Sequence, residues 1–314
     1  MIFANPLKLS KHGVLGMNMR NVDFVYAYNP RHLFPQVDNK LITKELAEKA
    51  GIAVPKLYAV VHFQHQVKLL PKLLESYDQF VVKPSKGSGG KGILVVTGKQ
   101  NGYYMKASGS LFDNKDLDHH VSNIVSGLYS LGGQIDSAMI EYYVNFSPIF
   151  KDISYQGVPD IRVLLFQGYP AMAMLRLPTR MSDGKANLHQ GAIGVGVDIR
   201  RGTTLGGVYH NRPIEIHPDT GKSFKDISIP NWHDLLILAA RCYEITGLGY
   251  MGIDIVLDKT YGPMILELNA RPGLAIQVAN DVGLVPRLRK IEKMASKKLD
   301  IEQRVRFAQK EFHC

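Results

Sequence analysis

The chain has 314 residues, a mean hydropathy of −0.08 and a formal net charge of +10, which predicts a globular protein of one large domain or two to three lobes with anionic partners: nucleotide, acidic peptide, RNA or a membrane surface. No apolar run approaches bilayer-spanning length and the N-terminus lacks a hydrophobic signal core, so we expect a cytoplasmic protein without a membrane span. Two cysteines, Cys242 and Cys314, and eleven histidines without paired spacing argue against a disulfide framework and a zinc site.

The first 37 residues are rich in Asn, Arg, Pro and aromatic side chains and lack a clear periodicity, so wrapping the domain and lining a site are both open to them. Asp38 then predicts the start of a helix over 39–50, which Gly51 ends. The apolar residues predict its buried face: Leu41, Ile42, Leu46 and Ala50. A strand over 57–61 and a helix over 64–76 are expected to follow.

A glycine-rich loop lies between two predicted strands, at 80–83 and 93–96. Gly87, Gly89 and Gly92 satisfy the G-x-G-x-x-G pattern, but a strand follows where a dinucleotide-binding fold requires a helix, and no Gly-Lys-[Ser/Thr] closes a Walker A loop. The pattern therefore favours a flap between antiparallel strands, whose N–H groups can close over phosphates, with a plain turn as the alternative. Lys83, at the end of the first strand, is placed to reach a phosphate.

The middle of the chain alternates predicted strands and helices. A polar helix over 116–131 precedes a strand over 138–144, and a hairpin joins a strand that starts at Asp160 to one over 171–177. Arg162 and Arg176 are polar residues among the apolar ones of that hairpin, and a structural ion pair and a ligand role are both open for them. Asn187 lies in a glycine-rich loop over 182–196. The region 206–228 is expected to be a solvent-facing excursion.

A second hairpin is predicted over 252–273, where apolar-rich runs at 253–257 and 264–268 flank a turn. If that turn is centred between Thr260 and Tyr261, Asp254 lies opposite Glu267, and two such close carboxylates repel unless a cation lies between them. Asn269 shares the face of Glu267. Oxygen ligands of this kind suit a hard cation such as Mg²⁺, and acidic residues that merely face water are the alternative.

These signals occur in one order: Asp38-Asn-Lys40, Lys83-Pro with a glycine flap, Glu141-Tyr-Tyr-Val144, Asp160-x-Arg162, Asn187, Asp254 and Glu267-x-Asn269. That order resembles the ATP-grasp superfamily over about residues 36–290, and within it the chain looks like the RimK-type α-L-glutamate ligase-like proteins of the sugar-transfer-associated branch. The resemblance implies an α+β fold of two α/β lobes with mainly antiparallel sheets that hold the nucleotide between them. The lid lobe would span 38–144 and the lobe with the metal site 145–314, while residues 1–37 stand where relatives usually carry a complete α/β domain.

The resemblance also implies a role for each matching residue. Lys40 and Lys83 would contact nucleotide phosphates, and Glu141 would take the adenine amino group. The flap over the β- and γ-phosphates would comprise Ser85, Gly87, Ser88, Gly89, Gly90, Lys91 and Gly92. The hinge would use the backbone of Tyr142, Tyr143 and Val144. Two Mg²⁺ ions, or Mn²⁺ in their place, would bind Asp254, Glu267 and Asn269, and the γ-phosphate and acyl group would face Arg162, Asn187 and Arg271.

The implied activity is that of an ATP-dependent carboxylate–amine ligase, which forms an amide through an acyl phosphate and adds glutamate or a related amino acid. Its partners would be ATP, a carboxylate donor and an amine acceptor, with an acidic amino acid or peptide among them. No DNA partner is expected, and a homo-oligomer is open. The alternatives are a kinase on the same scaffold and a nucleotide-sensing or RNA-binding module without turnover, which basic and aromatic residues over 20–31 would serve. Arg271 stands where glutamate ligases more often have a small residue.

Overall fold

The computed structural model describes residues 5–87 and 89–313, so the predicted flap residue Ser88 and the terminal Cys314 lie outside the described residues. The chain forms two compact units. The large unit comprises the described residues of Met1–Asp38, Glu45–Ala53 and Phe146–Cys314, and the small unit comprises Asn39–Lys44 and Val54–Asn145. Within the described ranges, every helix is too short or too polar to cross a membrane.

The α-helices are α1 (Pro6–Lys11), α2 (Met17–Met19), α3 (Pro35–Asp38), α4 (Lys40–Lys49), α5 (Leu70–Leu73), α6 (Asn114–Val125), α7 (Trp232–Thr246), α8 (Ala275–Asn280), α9 (Val285–Ala295) and α10 (Ile301–Glu311). The strands are β1 (Leu57–Val61), β2 (Phe80–Pro84), β3 (Leu94–Gln100), β4 (Tyr103–Lys106), β5 (Leu111–Phe112), β6 (Ala138–Glu141), β7 (Asp160–Phe166), β8 (Tyr169–Leu177), β9 (Ile193–Val197), β10 (Thr204–Tyr209), β11 (Arg212–Ile214), β12 (Tyr250–Asp258) and β13 (Gly262–Asn269). A π-helical segment spans Arg20–Tyr26, and 3₁₀ turns span Arg31–Leu33, Gln64–Leu69, Leu131–Gly133, Pro148–Ile153 and Leu188–Gln190.

The small unit is built on a six-stranded antiparallel sheet in the order β1-β6-β2-β3-β4-β5. Phe80 and Val82 of β2 belong to an apolar core that also contains Val121 and Ile124 of α6. Side chains alternate along a strand, so Lys83 projects from the other face of this sheet. The residue pattern of β2 thus separates a packing face from the face that carries the lysine.

The large unit is built on a seven-stranded antiparallel sheet in the order β11-β10-β9-β8-β7-β12-β13. Its central strands β7, β8 and β12 are buried along nearly their whole length. Charged residues on these strands therefore have little water around them and need partners within the protein. The α+β class with antiparallel sheets is confirmed.

Five local predictions differ from the structure. The region 206–228 is not wholly an excursion, because β10 and β11 extend the large sheet, and Gly207 lets the Phe224 ring lie against β10. Helix α6 ends at Val125, since Gly127 takes a left-handed φ of +88°. Strand β6 ends at Glu141, and the helix predicted over 64–76 is a 3₁₀ turn followed by the short α5. The buried residues of α4 are Thr43, Lys44 and Ala47, in place of the predicted apolar set Leu41, Ile42, Leu46 and Ala50.

Candidate active site

The glycine-rich loop of the small unit connects β2 to β3, as the sequence predicts. Gly89, Gly90 and Gly92 have φ values of +64°, +75° and +74°, which L side chains rarely adopt. A Cβ on Gly92 would lie 2.6 Å from an atom of the Tyr129 ring, and one on Gly87 would lie 2.2 Å from Pro84. The loop conformation therefore depends on glycine at these positions, and the Lys91 side chain is exposed at its far end.

Lys40 lies at the beginning of this loop. Its backbone N–H donates to the carbonyl of Ser85 at 2.8 Å, and its Nζ donates to the carbonyl of Gly87 at 2.6 Å. One ammonium group is thus held beside the start of the loop, where the predicted phosphate contacts would form.

Lys83 and Glu141 lie on neighbouring strands and form a buried ion pair. A second ammonium, from Lys44 of α4, lies 3.0 Å from the other carboxylate oxygen of Glu141, and it also donates to the carbonyl of Pro55. All three side chains are no more than 7% exposed. The cluster carries one net positive charge, and the Glu141 carboxylate that was predicted to take an adenine amino group already binds two lysines.

The predicted hinge follows β6. The Tyr142 N–H donates to the carbonyl of Lys56 at 2.8 Å, Val144 is buried, and burial raises the pKa of the half-buried Tyr143. Both tyrosines line an open groove of about 520 Å³ together with the stacked rings of Tyr58 and Tyr77. The backbone at the end of β6 is therefore fixed on one side by a hydrogen bond to the segment before β1.

The hairpin β12–β13 of the large unit places Asp254 opposite Glu267, as predicted, but its turn is centred on Thr260, and a bulge between Asp254 and Ile255 brings the two carboxylates into register. Asn269 pairs with Gly252 and shares the half-buried face of Glu267. Three oxygen-bearing side chains thus lie along one end of the hairpin.

Two arginines bind Asp254. Arg162 donates from Nε to Oδ1 and from Nη2 to Oδ2, both at 2.6 Å, and Arg176 donates from Nη2 to Oδ2 at 2.7 Å. Arg176 also binds both oxygens of Asp160. We call Asp160, Arg176, Asp254 and Arg162 the charged row. Both arginines therefore form ion pairs, one of the two roles left open for them, and a ligand role stays a prediction.

The pKa values of the two carboxylates in the charged row are shifted in opposite directions. Burial raises the pKa of Asp160 to about 6, although Arg176 works against the rise. Burial alone would also raise the pKa of Asp254, but the guanidinium groups of Arg162 and Arg176 outweigh it and hold that pKa below its usual value. The difference follows from the number of arginines bound directly: one for Asp160 and two for Asp254.

The predicted metal ligands form an all-oxygen donor set, which fits Mg²⁺ better than a softer ion. Glu267 and Asn269 are half-buried and share a face, whereas both oxygens of Asp254 are bound to guanidinium. Within residues 5–87 and 89–313, no group of three or more His, Cys, Asp or Glu side chains is arranged to hold a metal. A cation at this hairpin would therefore use the Asn269 amide besides the carboxylates, and three guanidinium hydrogen bonds already occupy most of the acceptor positions of Asp254.

Asn187 and Arg271 make other contacts in the large unit. The Asn187 side chain accepts from the N–H of His189 at 3.0 Å and caps the 3₁₀ turn that follows. The Arg271 guanidinium lies 4.9 Å from the centre of the Phe34 ring. Sequence reasoning left three structurally central residues out of the site: Lys44, Asp160 and Arg176. Asp160 and Arg176 stand out in the sequence as polar residues within an apolar hairpin, and Asp160 also belongs to the Asp160-x-Arg162 signal.

The sequence model of the sugar-transfer associated ATP-grasp family matches residues 19–293. A curated protein of Maridesulfovibrio salexigens described as a probable alpha-L-glutamate ligase is 23% identical over 267 residues, which are 84% of this chain and 66% of that protein. Similar solved structures include the ATP-grasp ligase PsnB complexed with minimal precursor, Mg and ADP (14% identity, TM-score 0.46, 86% of this chain and 62% of that one). The D-cycloserine synthetase DcsG is another (15% identity, TM-score 0.45, 94% and 82%). The chain thus spans just under two thirds of the length of the curated relative.

Proposed function

Because the chain belongs to the sugar-transfer associated ATP-grasp family, we propose that it is an ATP-dependent ligase that joins a carboxylate to an amine. The observation that carries this proposal is the family match over residues 19–293. The register of Asp254 and Glu267, with Asn269 on the same face, supports a metal–nucleotide site in the large unit. The lysines and the glycine loop support a phosphate-binding role for the small unit.

The reaction has two steps. A carboxylate oxygen of the donor attacks the γ-phosphorus of ATP and ADP leaves, which gives an acyl phosphate. The amine nitrogen of the acceptor then attacks the acyl carbon, phosphate leaves, and the nitrogen loses a proton to form the amide. Phosphoryl transfer depends mainly on positioning and charge stabilisation, so lysines, arginines and a closing loop are suitable tools for it.

Each predicted residue has a part in this proposal. Glu267, Asn269 and Asp254 would hold two Mg²⁺ ions, which would neutralise charge on the triphosphate. Lys40, Lys83 and the glycine loop would bind phosphate oxygens, and the backbone at Tyr142–Val144 would bind adenine. Arg162, Asn187 and Arg271 would face the γ-phosphate and the acyl group. The donor or the acceptor would be an acidic amino acid or peptide, for which the curated glutamate-ligase relative and the net charge of +10 are the support.

The test is a screen for ADP release with Mg²⁺ and ATP over amino acids, peptides and amino sugars, followed by mass spectrometry of the product. We expect an amide product, and a phosphorylated acceptor would favour the kinase alternative. Glu267→Gln should lower ADP release by at least about 100-fold with any substrate, because it removes a ligand charge from the triphosphate site. Glu215→Gln, at an exposed position of the same unit, is the matched control. Full activity of Glu267→Gln would remove Glu267 from the metal site.

A further inference from the structure

Asp136 of the small unit is a buried carboxylate, 2% exposed, that lies just before β6. Its Oδ1 accepts from Ser85 Oγ at 2.6 Å, from Lys86 N at 3.1 Å and from Ser137 N at 2.7 Å. Its Oδ2 accepts from Ser130 Oγ at 2.6 Å and from Lys86 N at 3.1 Å. These donors are neutral hydroxyl and backbone N–H groups, so the buried charge is stabilised by several hydrogen bonds at once.

The groups that Asp136 binds are the first residues of the glycine-rich loop and the segment beside it. Ser85 and Lys86 open the loop, and Ser130 pairs with Gly87 through an isolated β-bridge. From the other side, Lys40 donates to the carbonyls of Ser85 and Gly87. The start of the loop is therefore fixed through both its donors and its acceptors.

A glycine-rich loop needs such an anchor if it is to bind phosphates well. Glycine loses more conformational freedom on ordering than any other residue, and ordering that takes place on binding weakens affinity. The direction in which the N–H groups of the loop point depends on the left-handed φ values of Gly89, Gly90 and Gly92. A fixed starting point limits the conformations that the rest of the loop can adopt before a ligand arrives.

We propose that Asp136 is a positioning residue for the glycine-rich loop, and that it raises the affinity of the loop for the polyphosphate of a nucleotide. This inference rests on the proposed function, because it takes the loop to cover the β- and γ-phosphates. Positioning and simple electrostatics predict opposite changes in nucleotide affinity when Asp136 is neutralised. A carboxylate near a phosphate site repels the ligand, so charge alone predicts tighter nucleotide binding when Asp136 is neutralised. Positioning predicts weaker binding.

The experiment is Asp136→Asn, with ATP–Mg²⁺ and adenosine affinities measured by calorimetry. The amide nitrogen of Asn cannot accept from Ser130 and Lys86 as Oδ2 does, so we expect the Kd for ATP to rise about tenfold. We expect the Kd for adenosine to stay unchanged, because adenosine has no phosphate for the loop to bind. General loosening of the unit would weaken both ligands. Glu75→Gln, at an exposed position of the same unit, is the matched control.

A second variant keeps the test decisive if Asp136→Asn does not fold. Ser130→Ala removes one donor from outside the loop and should raise the Kd for ATP in the same direction by a smaller factor. The double variant should bind ATP no more weakly than Asp136→Asn alone, since both changes remove the same hydrogen bond. Unchanged or tighter ATP binding by either single variant, or a parallel loss of adenosine affinity, would overturn the positioning role.

Amide hydrogen exchange separates this inference from the proposed function. In the unliganded protein, Asp136→Asn should speed exchange at the amides of Lys86 and Ser137, which donate directly to the carboxylate. If the wild type does not bind ATP, the proposed function fails, and unchanged exchange in the variant would then overturn the loop-anchoring role as well. If the wild type binds ATP and the variant binds equally well, only the inference fails.

Discussion

Replacing Arg176 with methionine should destabilise the large unit by about 3–5 kcal/mol at neutral pH, because it breaks a buried ion pair and leaves charge uncompensated. Arg176 binds both oxygens of Asp160 and one oxygen of Asp254. Methionine has a long, flexible side chain that retains much of the packing volume, so the change tests charge more than cavity formation. Asp254 keeps Arg162 as a partner, whereas Asp160 loses the guanidinium group that binds both of its oxygens.

The loss should depend on pH. With Arg176 present, the pKa of Asp160 is already raised from 3.8 to about 6, a difference that corresponds to about 3 kcal/mol. The folded protein thus holds this proton more tightly than the unfolded chain, so the associated stability is present below pH 3.8 and is lost as the pH rises through about 6. Removing Arg176 removes a charge that lowers this pKa, so Asp160 should become still more costly at neutral pH.

The contribution of Asp254 to stability at neutral pH also falls when Arg176 is removed. Its pKa is held low by Arg162 and Arg176, so its contribution is present at neutral pH and is lost as the pH falls through the folded-state pKa. Without Arg176 that neutral-pH contribution shrinks. The contribution of Asp254 is present at both pH 5 and pH 7.5, whereas Asp160 titrates between them, so Asp160 predicts that Arg176→Met loses most stability near pH 7.5 and less near pH 5.

Chemical denaturation followed by tryptophan fluorescence is the suitable assay. The single tryptophan, Trp232, is 6% exposed in the large unit, and its indole N–H donates to the carbonyl of Ile199 at 2.7 Å. Arg180→Met is the matched control: Arg180 is an exposed arginine of the same unit that stacks over Tyr155, and its loss should cost less than about 1 kcal/mol. If Arg176→Met stays within about 1 kcal/mol of the wild type at both pH values, the reasoning about the charged row is wrong.

Two further changes test the small unit. Gly92→Ala and Gly89→Ala both place alanine at positive φ, at a cost of about 1 kcal/mol, but at Gly92 the added Cβ would also lie 2.6 Å from an aromatic ring carbon, whereas at Gly89 it meets no atom within 4 Å. Gly92→Ala should therefore lower the melting temperature further than Gly89→Ala, and equal values by circular dichroism would contradict the steric argument. Lys44→Met should lower the free energy of unfolding, measured by chemical denaturation, by about 1–3 kcal/mol, because Glu141 loses one of its two ammonium partners. Lys49→Met, on the exposed face of the same helix, should stay within about 0.5 kcal/mol of the wild type, and similar losses for both variants would refute the role of the buried pair.

The parts of the fold that the sequence predicts are those that depend on neighbours in the chain. In the β12–β13 hairpin Asp254 lies opposite Glu267 as predicted, although the pairs next to the turn centre it on Thr260 and the bulge between Asp254 and Ile255 produces the predicted pairing. The strand–loop–strand arrangement around the glycines was also predicted. Both are hairpins, whose pairing depends on residues within about twenty positions of each other, so local residue types carry enough information.

The charged row depends instead on which distant strands become neighbours. Asp254 binds arginines 92 and 78 positions away, because β7 lies between β8 and β12 in the sheet. Nothing in the apolar runs of these strands determines that order. The sequence indicates that the carboxylates of Asp254 and Glu267 repel each other, which favours a cation between them. It does not indicate that two guanidinium groups already balance the charge of Asp254.

The helix α4 illustrates the same limit at a single residue. Apolar periodicity selected Leu41, Ile42, Leu46 and Ala50 for the buried face, yet Lys44 is 5% exposed. Burying an ammonium is costly unless acceptors surround it, and here the Glu141 carboxylate and the Pro55 carbonyl meet it. Those acceptors come from β6 and from the segment before β1, so the burial of Lys44 follows from the assembled small unit, and hydrophobic patterning alone cannot predict it.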